Sequence, residues 1–286
     1  MALKTVALSG AHLESRSLDE TVPVLTDLLA FERIGGGPDS VVLKHPNTPW
    51  IMTVHEGGAD ASEKFGTNHY GVRVIEKSEI DAAYQYLNAH ASEYGLLQVR
   101  EPFNQHGSYS VYFREPGTNT IEIECFEDVN RKAAGIERLG GVRGPHWDQV
   151  LPETRFPGRG YVPQALTHGT LAMADTVVST RFYSEVLGLE AHNAYGDGRV
   201  VYVKFPNTKH YIVCIKGEER LVNSPSFRYT MDVESPAALD EAHRWLTEHK
   251  DEYAITEVHD IQTSDGTSWF LVRDPDLNWW ELAAST

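Results

Sequence analysis

Hydrophobic and polar positions along the chain alternate in a way that predicts repeating units of strand and helix. Residues 69–74, HYGVRV, alternate as a strand does, because successive strand side chains point to opposite faces. A helix is expected next, with Ser78 as its N-cap and one apolar stripe at helical spacing. The stripe consists of Ile80, Ala83, Tyr84, Leu87 and Ala91. Three short strands then follow, the last being TIEIEC at 120–125 after the Pro-Gly turn at 116–117.

The same order of elements recurs along the chain. It starts again at Phe227, where Ser235–Pro236 predicts an N-cap followed by a first-turn proline. It also starts at Leu166, where Asp175 is the expected cap of a helix that ends at Gly188. The N-terminal segment follows the order less closely but ends in the same way. The predicted fold class is therefore α+β, with four βαβββ modules numbered here in chain order.

An internal repeat groups these modules in pairs. REPGTNTIEI at 114–123 realigns with RDPDLNWWEL at 273–282, a displacement of 159 residues. We therefore predict an N-terminal domain at 1–130, containing modules 1 and 2, and a C-terminal domain at 165–286, containing modules 3 and 4. A connector rich in glycine, proline and arginine occupies 131–164.

Composition narrows the class of protein. The 286 residues carry 25 Lys and Arg against 41 Asp and Glu, a formal charge of -16, which argues against binding to nucleic acid or to an anionic membrane. No apolar run is long enough for a membrane span, and the charged N-terminus is unlike a signal peptide. Two distant cysteines favour a reducing cytoplasm. Thirteen histidines direct attention to metal binding and acid–base chemistry.

The four-module layout resembles the vicinal oxygen chelate superfamily over nearly the whole sequence. This resemblance implies two domains with curved mixed sheets that cup a divalent metal. The superfamily includes glyoxalase I, fosfomycin resistance proteins and the type I extradiol dioxygenases. Among these groups, the dioxygenases are the ones that commonly carry four modules in one chain.

The resemblance also implies which residues hold the metal. His69 and Glu122 lie on the first and last strands of module 2, and His168 lies on the first strand of module 3. The residues at the corresponding positions of the other copy, their repeat-mates, are Arg228, Glu281 and Gly10, at a displacement of 159 residues for module 2 and of 158 residues for module 3, where LLAFE at 28–32 realigns with VLGLE at 186–190. Arginine is not a metal ligand at neutral pH, so the metal is expected where modules 2 and 3 pair, within one chain or between two. Two histidines and a carboxylate suit non-haem Fe(II), and Mn(II) could replace it.

Three further residues match the extradiol pattern. Tyr112 precedes Glu122 by ten residues, and His106 lies shortly upstream of Tyr112. His210 follows His168 by 42 residues. By resemblance, His210 passes a proton to the O2-derived oxygen, while Tyr112 and His106 hydrogen-bond the deprotonated substrate oxygen. Their repeat-mates are Leu271, Asp265 and approximately Trp50, so these groups are also lost from the other copy.

Two positions leave alternatives open. Glu124 shares a strand face with Glu122 and is the rival carboxylate, although the repeat aligns Glu122 with Glu281. Arg228 is interpreted as a structural partner of Glu281 across the vacated site, a pairing that requires its other hydrogen bonds to be satisfied. The remaining histidines are interpreted as ordinary core or surface residues.

The resemblance predicts an extradiol dioxygenase that uses O2 to cleave a catechol ring next to its two hydroxyls. The expected partners are a weakly charged catechol, O2 and further copies of this chain in a homo-oligomer. A glyoxalase-type isomerase or lyase is one alternative, but it normally has a fourth ligand, a carboxylate, and residues 198–217 contain no Asp or Glu. A non-catalytic small-molecule-binding resistance protein is the other, and it has no need of acid–base groups such as His210 and Tyr112.

Overall fold

The computed structural model shows an α+β protein. It describes residues 3–57, 68–105, 107–126, 141–217 and 223–285. In each module one strand is followed by a helix and then by further strands, so the predicted class and module order are confirmed. No helix in the described part of the chain is long and apolar enough to cross a membrane.

Modules 1 and 2 hold the first nine strands. Module 1 consists of β1 (Thr5–Ser15), α1 (Leu18–Pro23) with a wider π-helical turn (Val24–Leu28), β2 (Glu32–Gly36), β3 (Ser40–Lys44) and β4 (Ile51–Glu56). Module 2 consists of β5 (His69–Arg73), α2 (Lys77–Ala89), β6 (Gln98–Val99), β7 (Phe103–Gln105), β8 (Ser108–Arg114) and β9 (Thr120–Cys125). The extra short strand β7 leads into the turn before β8.

Modules 3 and 4 repeat this plan after a short 3-10 turn at Glu153–Arg155. Module 3 consists of β10 (Ala165–Met173), α3 (Thr176–Arg181) with a π-helical turn (Phe182–Val186), β11 (Glu190–Asn193), β12 (Val200–Lys204) and β13 (Tyr211–Lys216). Module 4 consists of β14 (Arg228–Val233), α4 (Pro236–Glu248), β15 (Glu257–Val258), β16 (Gln262–Ser264), β17 (Thr267–Arg273) and β18 (Trp279–Ser285).

The strands form two nine-stranded mixed sheets. One has the order β15-β17-β18-β14-β1-β4-β3-β2, with β16 on β17, and the other has the order β11-β12-β13-β10-β5-β9-β8-β6, with β7 on β8. The first sheet combines modules 4 and 1, and the second combines modules 3 and 2. The pairing of modules 2 and 3 that the ligand assignment requires therefore occurs within one chain.

The chain divides into two compact units, 13–170 and 1–12 with 171–286. The core of the first unit includes Leu25, Leu28, Ile80, Leu87, Val111 and Phe113. The core of the second unit includes Leu8, Phe182, Tyr229, Leu246, Phe270 and Trp280. Part of the predicted connector, residues 131–140, lies outside the described residues.

Helix caps agree with the sequence in two cases and differ in one. The side chains of Asp175 and Ser235 accept backbone amide hydrogens at the starts of α3 and α4, as predicted. The prediction of Ser78 as the cap of α2 is wrong, because Glu76 occupies that position. Glu76 and Glu79 each accept the other's backbone amide, a reciprocal capping box that starts the helix one residue before Ser78.

Asn119 and Asn278, which occupy the same position in the two copies of the repeated motif, have the same structural role. The Asn119 side-chain amide donates to the Glu14 carbonyl at 3.0 Å. The Asn278 amide donates to the Ala172 carbonyl at 2.9 Å. Each bond ties the turn before a module's last strand to the end of the preceding module's first strand. The clearest part of the repeat therefore maintains the fold, and only one member of it belongs to the candidate site.

Candidate metal centre

Strand register brings the three predicted ligands together in the first unit. β5 and β9 run parallel with Gly71 opposite Glu122, and β10 pairs antiparallel to β5 with His168 opposite Gly71. His69 is two residues from Gly71 and therefore lies on the same strand face. Three neighbouring strands thus each contribute one side chain to a single point.

The donor atoms of these side chains form a nearly equilateral triangle. The Nε2 atoms of His69 and His168 each lie 3.2 Å from Glu122 Oε2, and they lie 3.2 Å from each other. The side chains are 10%, 3% and 4% exposed for His69, His168 and Glu122. Metal–ligand bonds of about 2.1 Å at right angles would place neighbouring donors about 3 Å apart. The residues therefore fit one face of an octahedral divalent ion, and they are the group of that kind found among the described residues.

Gly71 is required by the close approach of His168. A Cβ atom at position 71 would lie 2.1 Å from His168 Cε1 and 2.5 Å from its Nδ1, far inside van der Waals contact. The imidazole of His168 therefore occupies the space that a side chain at position 71 would fill. Sequence reasoning did not identify Gly71 as part of the site, because the conflict arises across two strands.

Charge is balanced within the triangle. Burial would raise the pKa of the Glu122 carboxyl, but its contacts with His168 and His69 outweigh this and hold that pKa well below its usual range. Burial would lower the pKa of His168, but the Glu124 and Glu122 carboxylates raise it to about 9. Without a metal, His168 therefore carries an extra proton at neutral pH, which a bound ion would have to displace.

Glu124, the rival carboxylate, is engaged elsewhere. Its Oε1 accepts hydrogen bonds from Arg73 Nε at 3.0 Å, Arg73 Nη2 at 2.6 Å and Thr167 Oγ1 at 2.7 Å. It lies 3.5 Å from His168 Nδ1, the nitrogen that is turned away from the triangle. The geometry thus favours Glu122 as the ligand and places Glu124 behind His168.

Tyr112 lies against the ligands, together with a residue that sequence reasoning missed. Its ring meets the His69 ring edge-on with centroids 5.2 Å apart. Gln105 Nε2 donates to the Tyr112 hydroxyl and also lies 3.3 Å from Glu122 Oε1. Burial and the charge of Glu122 raise the pKa of Tyr112, so it stays a neutral phenol. His106, which follows Gln105, lies outside the described residues.

His210 lies in the second unit, on the approach to β13. Its Nε2 is 2.8 Å from the Leu8 carbonyl, which accepts the ring N–H. Burial lowers the pKa of His210, so the ring is neutral at physiological pH. The role of His210 beside O2 stays a prediction.

In the other copy of the repeat, the positions that correspond to the candidate metal centre contain an ion pair. Arg228 Nε and Nη2 lie 2.8 and 2.6 Å from Glu281 Oε2, and Thr230 Oγ1 donates to Glu281 Oε1 at 3.1 Å. His12 Nε2 lies 3.0 Å from Thr230 Oγ1. The expected pairing of Arg228 with Glu281 is confirmed, and both Glu281 oxygens have donors.

Known structures share the fold. No protein-family model matches the chain, and no curated protein matches it in sequence. Glyoxalase I of Zea mays is 14% identical over 96% of this chain and 91% of its own, with a TM-score of 0.65. A Bacillus subtilis protein provisionally described as a dioxygenase is 12% identical over 99% of this chain and 86% of its own, with a TM-score of 0.64. These likenesses, at 12–14% identity, show that the chain shares the fold of these two proteins.

Proposed function

We propose that the protein is a non-haem Fe(II)-dependent extradiol dioxygenase, which uses O2 to cleave a catechol-type ring next to its two hydroxyls. The observation that carries the proposal is the triangle of His69, Glu122 and His168. Two neutral nitrogen donors and one carboxylate on a single side of an ion leave the remaining positions for exogenous ligands. A reaction between a bidentate catechol and O2 needs that arrangement.

The three ligands supply one negative charge in all. Glu122 neutralises half of a divalent ion's charge, and a singly deprotonated catechol neutralises the rest, so this ligand set favours a catecholate. When bound, the ion would template catechol and O2 side by side and allow charge to pass between them. Mn(II) suits the same three donors.

Tyr112 is proposed to hydrogen-bond the deprotonated oxygen of the catechol. A neutral phenol can donate a hydrogen bond from Oη to the deprotonated catechol oxygen and so hold the substrate in one orientation. Gln105 donates to Tyr112 Oη, so that bond does not use the phenol hydrogen. His106 is proposed to assist at the same substrate oxygen.

His210 is proposed as the acid–base group for O2. A buried histidine with a lowered pKa is neutral at physiological pH and can take up a proton released from the catechol. It would then pass that proton to the oxygen derived from O2. His210→Asn is accordingly expected to retain the metal and lose turnover, while His168→Ala loses the metal.

A glyoxalase-type isomerase or lyase is the main alternative, and a small-molecule-binding resistance protein is the other. Isomerases of this type ordinarily use a second carboxylate ligand on the last strand of the partner module. Here that strand is β13, whose sequence YIVCIK has no carboxylate. The three-residue ligand set therefore supports the dioxygenase more than the isomerase.

One assay separates the three functions. The metal-free protein is loaded anaerobically with Fe(II) or Mn(II) and then tested for O2 uptake and a yellow ring-opened product with a panel of catechols. Isomerisation of a hemithioacetal is measured in parallel. The expected result is metal-dependent O2 uptake without isomerisation. Isomerisation alone would replace the proposal with the first alternative, and metal binding without either reaction would replace it with the second.

A further inference from the structure

Behind His168 lies a buried chain of hydrogen bonds that the proposed reaction does not itself use. Arg73 and Glu124 are each 2% exposed, and both Nε and Nη2 of Arg73 donate to Glu124 Oε1. The other guanidinium nitrogen, Arg73 Nη1, donates to the Gly144 carbonyl at 2.6 Å and to the Val142 carbonyl at 3.2 Å. His146 Nδ1 lies 2.9 Å from the same nitrogen. Arg73 is thus held on several sides and holds Glu124 in turn.

The direction of hydrogen bonding follows from the atoms involved. Thr167 Oγ1 lies 2.7 Å from Glu124 Oε1 and 3.1 Å from the Gly71 carbonyl, and both of these oxygens can only accept. The single hydroxyl hydrogen of Thr167 therefore points to one of them. Thr167 Oγ1 is also 3.0 Å from His168 Nδ1, and toward that nitrogen it can only accept. Nδ1 must then carry a hydrogen whether or not the ring is protonated, so in the neutral ring that binds a metal the lone pair is on Nε2, inside the triangle.

The second copy of the repeat shows that the fold does not need this chain of bonds. The repeat-mates of Arg73, Glu124 and Thr167 are Asp232, Ala283 and Ser9. Asp232 pairs with Ala283 in the same parallel register in which Arg73 pairs with Glu124. Instead of an ion pair, that copy has a bond from Ser9 Oγ to Asp232 Oδ1 at 2.7 Å. A buried ion pair is a costly way to stabilise a sheet, and at these two positions the pair is present only in the copy that contains His69, Glu122 and His168.

We infer that Thr167, Glu124 and Arg73 are positioning residues that fix the ring and the tautomer of His168, and that they thereby set the affinity for the divalent metal. Thr167 orients Nδ1–H, Glu124 orients the Thr167 hydroxyl, and Arg73 fixes Glu124. The inference rests on the proposed metal function. It extends that function from the three ligands to the residues that support one of them.

The test measures Mn(II) binding by the full chain, with Mn(II) alone as the probe. Thr167→Val keeps the shape of the side chain but removes the hydroxyl, and it is expected to weaken Mn(II) binding by about 10- to 100-fold. Thr167→Ser keeps the hydroxyl that the repeat-mate Ser9 also has, and it should bind within about 3-fold of the parent protein. Glu124→Gln keeps the volume of the side chain and should also weaken Mn(II) binding. It replaces Thr167→Val in the test if that variant fails to fold.

A second readout separates positioning from a general structural effect. In the Zn(II)-loaded protein, the nitrogen chemical shifts of His168 should show Nδ1–H in the parent and in Thr167→Ser, and a changed Nδ1 environment in Thr167→Val. Unaltered shifts and unaltered affinity in both Thr167→Val and Glu124→Gln would overturn the inference while leaving the dioxygenase proposal intact. If the parent protein bound no Mn(II), the inference and the metal site would both be wrong. Metal binding without O2 uptake would overturn only the proposed reaction.

Discussion

The candidate metal centre depends on the sizes of two residues that lie opposite each other on neighbouring strands. Gly71 and His168 lie opposite each other, and their repeat-mates Thr230 and Gly10 lie opposite each other in the same register. In the first pair the glycine is on β5 and the larger residue, His168, is on β10. In the second pair the glycine is on β1 and the larger residue, Thr230, is on β14. The ring of His168 occupies the space that a side chain at position 71 would fill, so the cluster of His69, Glu122 and His168 depends on Gly71.

Gly71→Ala tests this requirement. Its Cβ would lie 2.1 Å from His168 Cε1, so the imidazole must leave its place in the triangle. Mn(II) affinity should fall by at least about 10-fold, and the free energy of unfolding by about 1–3 kcal/mol, as in other overpacked cores. Gly35→Ala is the matched control, because its Cβ would meet Val42 at an ordinary 3.8 Å. Parental affinity in Gly71→Ala would contradict the prediction.

Metal binding should release a proton from His168. The pKa of His168 is raised to about 9 in the metal-free protein, whereas a ligated Nε2 cannot keep its hydrogen. At pH 7.5 the His168 contribution should be about one proton per ion, and it should fall toward zero as the pH rises through about 9. Metal affinity should consequently increase with pH up to that value. Calorimetry in two buffers of different ionisation enthalpy measures the release, and a release independent of pH between 7 and 10 would argue against it.

The clustering of His69, Glu122 and His168 could be predicted from the sequence, and the residues that surround them could not. His69, Glu122 and His168 each have a repeat-mate that shows what the same position looks like without a site. Gln105 and Gly71 act through contacts made across strands, with Tyr112 and His168, and such contacts depend on register and side-chain direction. A single sequence reports neither before the sheet is assembled.

The helices show a similar limit at the level of elements. The start of α4 could be predicted because Ser235 is followed by a proline that suits the first helical turn. The start of α2 could not be placed on its first residue, because Glu76 and Glu79 cap each other and a serine two residues into the helix looks like a cap. The apolar stripe of α2 was a better guide, and its residues Ile80 and Leu87 are buried.

Serine-to-alanine substitutions at the two helix starts should therefore differ. Ser235 Oγ accepts the Ala238 amide at 3.2 Å, so Ser235→Ala leaves that amide without its cap and should cost about 1 kcal/mol of unfolding free energy. Ser78 is exposed and lies inside the helix, so Ser78→Ala should change the free energy by less than about 0.5 kcal/mol. Urea unfolding followed by circular dichroism measures both. Equal losses in the two variants would show that Ser78 has a capping function after all.

At the scale of the whole molecule, one duplicated plan supports a candidate metal centre in one sheet and an ion pair in the other. The order of elements within the four modules could be predicted, because turn motifs and apolar periodicity are local in sequence. The sequence required modules 2 and 3 to pair but left open whether they did so within one chain. The strand order β10-β5-β9 answers this, since it depends on long-range hydrogen bonds that no local pattern encodes.

The two copies are similar enough that the lost site should be recoverable. In the sheet of modules 1 and 4, Arg228 and Thr230 occupy the register of His69 and Gly71, and Glu281 is already in place. The variant that combines Gly10→His, Arg228→His and Thr230→Gly restores the two histidines and the space that one of them needs. His12→Thr is added, because the His12 ring lies 3.0 Å from Thr230 Oγ1, and its repeat-mate is Thr170.

Equilibrium dialysis against Mn(II) should then give two ions per chain where the parent binds one. The new site should be the weaker of the two, because it has Asp232 and Ala283 at the positions of Arg73 and Glu124. Adding Glu281→Gln to the variant removes the only carboxylate of the new triad and should return the count to one. A count that stayed at one in the four-residue variant, with its fold intact by circular dichroism, would mean that strand register and ligand type do not suffice. The residues behind His168 would then be a condition of metal binding and not only a refinement of it.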